Sequence, residues 1–210
     1  MPKISPFEKY PEKYDGWFKK NRWIYEAELR ALKAMIPDKG NGLEIGVGTG
    51  RFAQSLGIRN GVDPSKRMSQ IAQKRGIRVL DGVAERLPFD APQFYFVLMV
   101  TTVCFVDDIG KALQEAHRVL SDGGVLIIGF IDRNSKMGKA YIKQREENVF
   151  YKEATFFSVD ELVKFMNQAG FKDLSFNQTI FGTLAETGSE EPVKPGHGKG
   201  SFVVIRGKKA

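Results

Sequence analysis

Tyr25, Leu29, Leu32 and Ile36 fall at i, i+4, i+7 and i+11, the stripe of an amphipathic helix, and Pro37 and Gly40 end it. Beyond that point the period changes. Residues 42–47 predict a short strand running into a glycine-rich turn, and 51–56 open a helix. A second strand ends at 61–63, a helix covers 65–75 and is closed by Gly76, and 78–80 form a third strand. Residues 94–100 and 125–131 are unbroken apolar runs, as expected of strands buried on both faces of a sheet. Between them 109–120 read as a helix, stopped by Asp122, Gly123 and Gly124.

Strands alternating with helices of this length predict a doubly wound, mostly parallel α/β sheet with helices on both faces. The last third departs from that rhythm. Residues 136–147 read as a charged helix, and Ser158 with Glu161 makes an S-x-x-E capping box for a helix ending at Gly170. Two strands follow, about 172–180 and 202–206, with a Gly/Pro/Glu-rich loop at 182–200 between them. A parallel pair needs a crossover element, so these strands are expected to be antiparallel.

Candidate chemistry gathers at Leu43-Glu44-Ile45-Gly46-Val47-Gly48-Thr49-Gly50. A strand, a glycine turn and a helix start present backbone N–H groups to a ligand, and a Cβ at the turn would block close approach. The spacing is G-x-G-x-G. The dinucleotide fingerprint requires a further glycine where this chain has Arg51. Glu44, two places before the first glycine, would repel a pyrophosphate but suits a ligand carrying an ammonium and a sulfonium. Asp63 ends the second strand, at the crevice of a doubly wound sheet, where a carboxylate accepts hydrogen bonds from a ribose diol.

With these residues, Ala84-Glu85-Arg86-Leu87-Pro88-Phe89, the buried strand from Phe94, and Arg118-Val-Leu-Ser-Asp-Gly123-Gly124 stand in order along the chain. The set resembles the motifs of class I S-adenosylmethionine-dependent methyltransferases, in the ubiquinone/menaquinone-methylase-like small-molecule subgroup. The resemblance spans residues 14–207 and implies a Rossmann-like, seven-stranded sheet with an antiparallel last strand. It implies S-adenosylmethionine as cofactor and S-adenosylhomocysteine as product. Glu44, Gly46, Gly48 and Gly50 would line the methionine and ribose part. Asp63 would take the ribose hydroxyls, and Pro64 and Met68 would pack at the adenine. Ala84 and Glu85 would border the adenine edge, while Thr101 and Thr102 would face the methionine group. Many relatives have aspartate at the position of Val83, so Glu85 or a backbone group would substitute here.

On this reading 1–210 form one methyltransferase domain: a helical lid (1–37), a cofactor-binding half (38–132) and an acceptor-side half (133–210). The acceptor would be a small molecule met by Tyr14, Trp17 and Phe18 of the lid and by Tyr141, Phe150, Tyr151, Phe156 and Phe157. A neutral amine needs no strong base, whereas a hydroxyl, carbon acid or thiol does. The only histidines are His117, in a helix, and His197, in the glycine loop. No His/Cys/Asp/Glu set has metal-ligand spacing, so no metal is expected.

The formal charge of +7 raises nucleic acid as a partner, but the basic residues are spread along the chain instead of forming one block. The end of the fourth strand also lacks the Asn/Asp-Pro-Pro-aromatic turn of enzymes that methylate base exocyclic nitrogens. An RNA or protein methyltransferase, or a non-catalytic binding module, is therefore the secondary reading. The lone Cys104, read as a buried small hydrophobe, with no leader-like or spanning apolar segment, predicts a cytoplasmic protein. The sequence leaves the acceptor and the oligomeric state open.

Overall fold

A computed structural model describes residues 4–210. Three helices come first: α1 (Ser5–Lys9), α2 (Pro11–Lys20) and α3 (Arg22–Lys33). Then β1 (Gly42–Ile45), α4 (Arg51–Leu56), β2 (Asn60–Val62), α5 (Lys66–Lys74), β3 (Arg78–Leu80), β4 (Phe94–Val100), α6 (Ile109–Val119) and β5 (Leu120–Ile131) alternate as expected. After α7 (Lys136–Lys143), α8 (Val159–Gln168), β6 (Phe171–Thr179), β7 (Lys194–Pro195) and β8 (Phe202–Lys209) complete the chain. One sheet in the order β3-β2-β1-β4-β5-β8-β6-β7 joins all eight strands. The strands from β3 to β5 pair in parallel, and β8 runs antiparallel to both β5 and β6.

The chain therefore winds outward from β1 to β3, then returns to the other side of β1 to lay down β4. The carboxyl ends of β1 and β4 flank this switch point, where doubly wound sheets open a crevice for ligands. Burial follows the strand period: Leu126, Ile128 and Phe130 of β5 pack with α6 and α8, while Val125 and Ile127 face the α3–α4 layer.

The sheet has eight strands and not seven. The extra one, β7, is two residues pairing with Asn177 and Gln178 on the outer edge of β6. Such a strand carries no periodicity to read, and Pro195 is tolerated because an edge position need not donate to the ladder. Two boundaries also move. The helix from Lys136 stops at Lys143, and a separate 3-10 turn holds Arg145–Glu147. In α3 the buried positions are Ile24, Ala27, Glu28, Ala31 and Leu32; of the predicted stripe Leu32 is fully buried, while Tyr25, Leu29 and Ile36 pack half-buried at the edge of that face. The alanines carried too little apolar weight, and the glutamate the wrong sign, for pattern to find that face.

Candidate active site

At the switch point the chain leaves β1 through Gly46, Val47 and Gly48. Gly46 has φ +70°, and a Cβ there would lie 2.5 Å from Thr102 Oγ1 and Cγ2. Thr102 Oγ1 in turn donates to the Ile45 (3.0 Å) or Val100 (3.1 Å) carbonyl, tying the ends of β1 and β4 together. Gly50 serves packing: a Cβ would come within 3.0 Å of Ala72, so α4 and α5 could not approach as they do. Asp63, 8% exposed, accepts the Gly48 N–H on Oδ2 (2.7 Å) and the Ser65 N–H on Oδ1 (2.9 Å). Burial pushes its carboxyl up to about 6 against those two N–H groups.

These elements wall a cleft of about 720 Å³, counted with the solvent at its open mouth. Ile45, Gly46, Gly48, Asp63, Pro64 and Met68 form one side. Ala84, Glu85, Thr101 and Thr102 form another, and Ile4, Phe7 and Tyr14 of the N-terminal segment close it from above. A larger cavity of about 1350 Å³, open to solvent, adjoins it. The two share Phe7, Tyr14, Thr101 and Phe105 as walls.

Thr101 occupies φ +52°, a left-handed conformation that a β-branched residue rarely adopts and that costs on the order of 1–3 kcal/mol. Its N–H donates to the Gly129 carbonyl at 2.7 Å, which fixes the backbone there. The strained residue sits where the two cavities meet.

The N-terminal helices are clasped to the motif turn. Asp15 of α2 accepts from Thr49 Oγ1 (2.8 Å), from Arg51 Nε (2.9 Å) and Nη2 (2.5 Å), and from Arg75 Nη2 (3.0 Å). Burial alone would raise the Asp15 carboxyl, but Arg51, Arg75 and Thr49 outweigh it and hold it well below the usual carboxylate range. The clasp fixes Tyr14 above the turn, so that a Cβ at Gly48 would lie 3.6 Å from both Tyr14 Cε1 and Met68 Cε.

A sequence profile described as a methyltransferase domain matches residues 43–128. Over 191 residues the chain is 30% identical to a demethylmenaquinone methyltransferase of Chlorobaculum tepidum, with 78% of each protein covered. An uncharacterised protein of Methanocaldococcus jannaschii is 47% identical across 98% of this chain and all (100%) of that one. A crystal structure from Thermotoga maritima, of a "SAM-dependent methyltransferase, possible histamine N-methyltransferase", superposes with a TM-score of 0.95 at 52% identity, covering 98% of each chain.

The chain belongs to the class I S-adenosylmethionine-dependent methyltransferases.

Within this methyltransferase the cleft suits the cofactor on its own chemistry. Each Asp63 oxygen has a lone pair left after its single N–H bond, and a Cβ at Gly48 would fill the cradle between Met68 and Tyr14. All the sequence-predicted binding residues line the cleft except Glu44 and Gly50. Glu44 is 2% exposed, and one of its oxygens, Oε2, has no hydrogen-bond partner among the described residues. Burial raises its carboxyl well above the usual range, opposed by the Ala53 N–H. Glu85 borders the cleft, but its Oε1 is engaged by the N–H groups of Asp107 (2.6 Å) and Asp108 (3.1 Å).

Of the lid candidates, Tyr14, Trp17 and Tyr141 line the larger cavity. Phe156 lines a smaller adjoining void that shares Thr101, Tyr141 and Tyr151 with the larger cavity. Neither histidine reaches either cavity: His117 packs edge-on to Phe171, and His197 lies against Phe176. Cys104 is half-buried and not buried, with Sγ 2.9 Å from the Thr101 carbonyl oxygen. Among the described residues no group of three or more His, Cys, Asp or Glu side chains could hold a metal, and no helix is long and apolar enough to cross a membrane. Sequence reading missed Phe7 and Phe105, whose isolated aromatics carry no motif, and it missed Glu28. That carboxylate lies on the core face of α3 and lines the larger cavity, where the alanines around it carry too little apolar weight to mark the face.

Proposed function

We propose that this methyltransferase transfers the methyl group to a small-molecule acceptor held in the larger cavity. The observation that carries the reading is the shared wall. A molecule enclosed by the aromatic lid residues would meet the cofactor cleft at Thr101 and Phe105. In this assignment Asp63 accepts the ribose hydroxyls, Gly46 and Gly48 admit the cofactor close to the backbone, and Pro64, Met68 and Ala84 pack at the adenine. Glu44 and Gly50 act from behind the turn, by holding its shape. Bound S-adenosylmethionine supplies a methyl group already activated on a sulfonium. What the chain contributes is position and exclusion of water, which can carry much of the rate of a direct displacement.

The relatives point the same way, since demethylmenaquinone and histamine, the acceptors in their names, are both small molecules. The test is to incubate the full chain with methyl-labelled S-adenosylmethionine and a panel of small amines, phenols, alcohols and thiols, beside total RNA and a protein extract. Label is expected in a small molecule. Label in RNA or in protein, and in none of the small molecules, refutes the proposal.

A further inference from the structure

Glu28 stands in the wrong place for a residue that only supports the fold. It lies on the buried face of α3 between Ala27 and Ala31, 4% exposed, yet it lines the larger cavity. Among the described residues no side-chain hydrogen bond or ion pair engages its carboxylate, whose oxygens keep contact with the open cavity. A carboxylate set on a core face costs stability even where it opens onto a cavity, and such groups are often kept where a ligand completes them. The walls around it are aromatic: Tyr14, Trp17, Phe18, Tyr141, Phe150 and Tyr151. Aromatic faces attract cations, and the attraction grows when water is excluded.

We propose that Glu28 anchors a small amine, the acceptor of this methyltransferase, within the aromatic cage: the ammonium docks on the carboxylate and passes one proton to it, and the nitrogen lone pair so freed takes the methyl group while the sulfonium leaves as the neutral thioether of S-adenosylhomocysteine. This rests on the small-molecule reading above. The carboxylate accepts N–H bonds from the ammonium while the rings shield the pair, and charged partners make such bonds the stronger kind. Other ionisable groups facing the cavity are Lys13 and Glu147, both exposed at its rim, and the phenols of Tyr14, Tyr141 and Tyr151. Burial raises the carboxyl of empty Glu28 to about 8, the state expected of an acid waiting for its counter-ion.

The test is calorimetric titration of the full chain, loaded with S-adenosylhomocysteine, at pH 8. The probes are methylammonium, phenethylamine and 2-phenylethanol, the last being the neutral counterpart of the second. Wild type is expected to bind at least one amine, and phenethylamine about tenfold more tightly than the alcohol. Glu28→Gln should lose that preference while binding S-adenosylhomocysteine as wild type does. A second readout needs no ligand: empty Glu28→Gln should melt above wild type, by a margin that widens from pH 6 to pH 9. The sign follows because a raised carboxyl pKa makes the wild-type fold lose stability as pH climbs through about 8. Binding of neither amine, equal binding of amine and alcohol, or a Gln variant that melts below wild type overturns the assignment. Failure of wild type to take up S-adenosylhomocysteine would instead strike the cofactor site, and is scored separately.

Discussion

Replacing Asp15 by asparagine tests whether the N-terminal helices are held by the clasp or merely rest on the cleft. The change keeps volume and one acceptor oxygen but removes the charge that Arg51 and Arg75 share, and turns an amide toward a guanidinium. The three side chains are only 17%, 22% and 18% exposed, so solvent screens the pair little. Charged hydrogen bonds contribute about 1.5–3 kcal/mol each, and breaking a buried pair by removing one partner costs about 3–5 kcal/mol. The bonds share one carboxylate and do not add, so a loss of about 3 kcal/mol is expected at neutral pH. For a chain of this size that corresponds to a fall in Tm of about 6–12 °C.

The pH dependence has a definite sign. The folded carboxyl is held below its ordinary value of 3.8, so its stabilisation is complete above that value and fades as pH falls below it. The gap between wild type and Asp15→Asn, measured by urea unfolding, should therefore be constant from pH 8 to 5 and shrink below pH 4. Glu12→Gln is the internal control, because its pair with Arg67 of α5 is 72% and 47% exposed and is expected to be worth under about 1 kcal/mol. An Asp15→Asn loss no larger than that of Glu12→Gln, or one that persists unchanged in acid, refutes the clasp.

The cofactor site makes three further predictions. Asp63→Asn should weaken S-adenosylhomocysteine binding by about 1–3 kcal/mol, and wild-type affinity should itself decline as pH falls through about 6, where the ionised carboxylate is lost; a flat calorimetric profile from pH 8 to 5 removes Asp63 from the ribose. Thr101→Gly should release backbone strain of about 1–3 kcal/mol, offset by up to about 1 kcal/mol of extra freedom in the unfolded chain. A variant that melts higher but transfers methyl groups more slowly fits that account, and one that melts lower defeats it. Gly46→Ala places a Cβ 2.5 Å from Thr102 at φ +70°, so the turn must move; binding and Tm should both drop, and a neutral result in either would show that Thr102 yields freely.

The parts of this protein that sequence made legible are those where one local rule suffices. Alternating apolar strands and capped helices set the parallel half of the sheet. The Ser158–Glu161 box appears in the structure with both of its reciprocal bonds, and the glycine spacing placed the turn at the crevice. What stayed hidden depends on partners far apart in the chain: Asp15 meets Arg51 and Arg75 across 36 and 60 residues. No periodicity encodes such a pairing. Glu28 was hidden for a different reason, because a carboxylate on a core face contradicts the pattern that locates the face.

That contradiction is itself a functional signal. A sequence specifying only a fold would put alanine or leucine at position 28, as it does at 27, 31 and 32, and would gain stability by doing so. The same holds for Thr101, where glycine would relieve the backbone. Both departures border the larger cavity, while Asp15, which offsets part of their cost, ties α2 to the turn beside the neighbouring cleft. On the proposed assignment, stability given up at the larger cavity is offset by the charged clasp beside the cleft, and the two should be separable: Asp15→Asn should spare the amine preference and lower Tm, whereas Glu28→Gln should do the reverse.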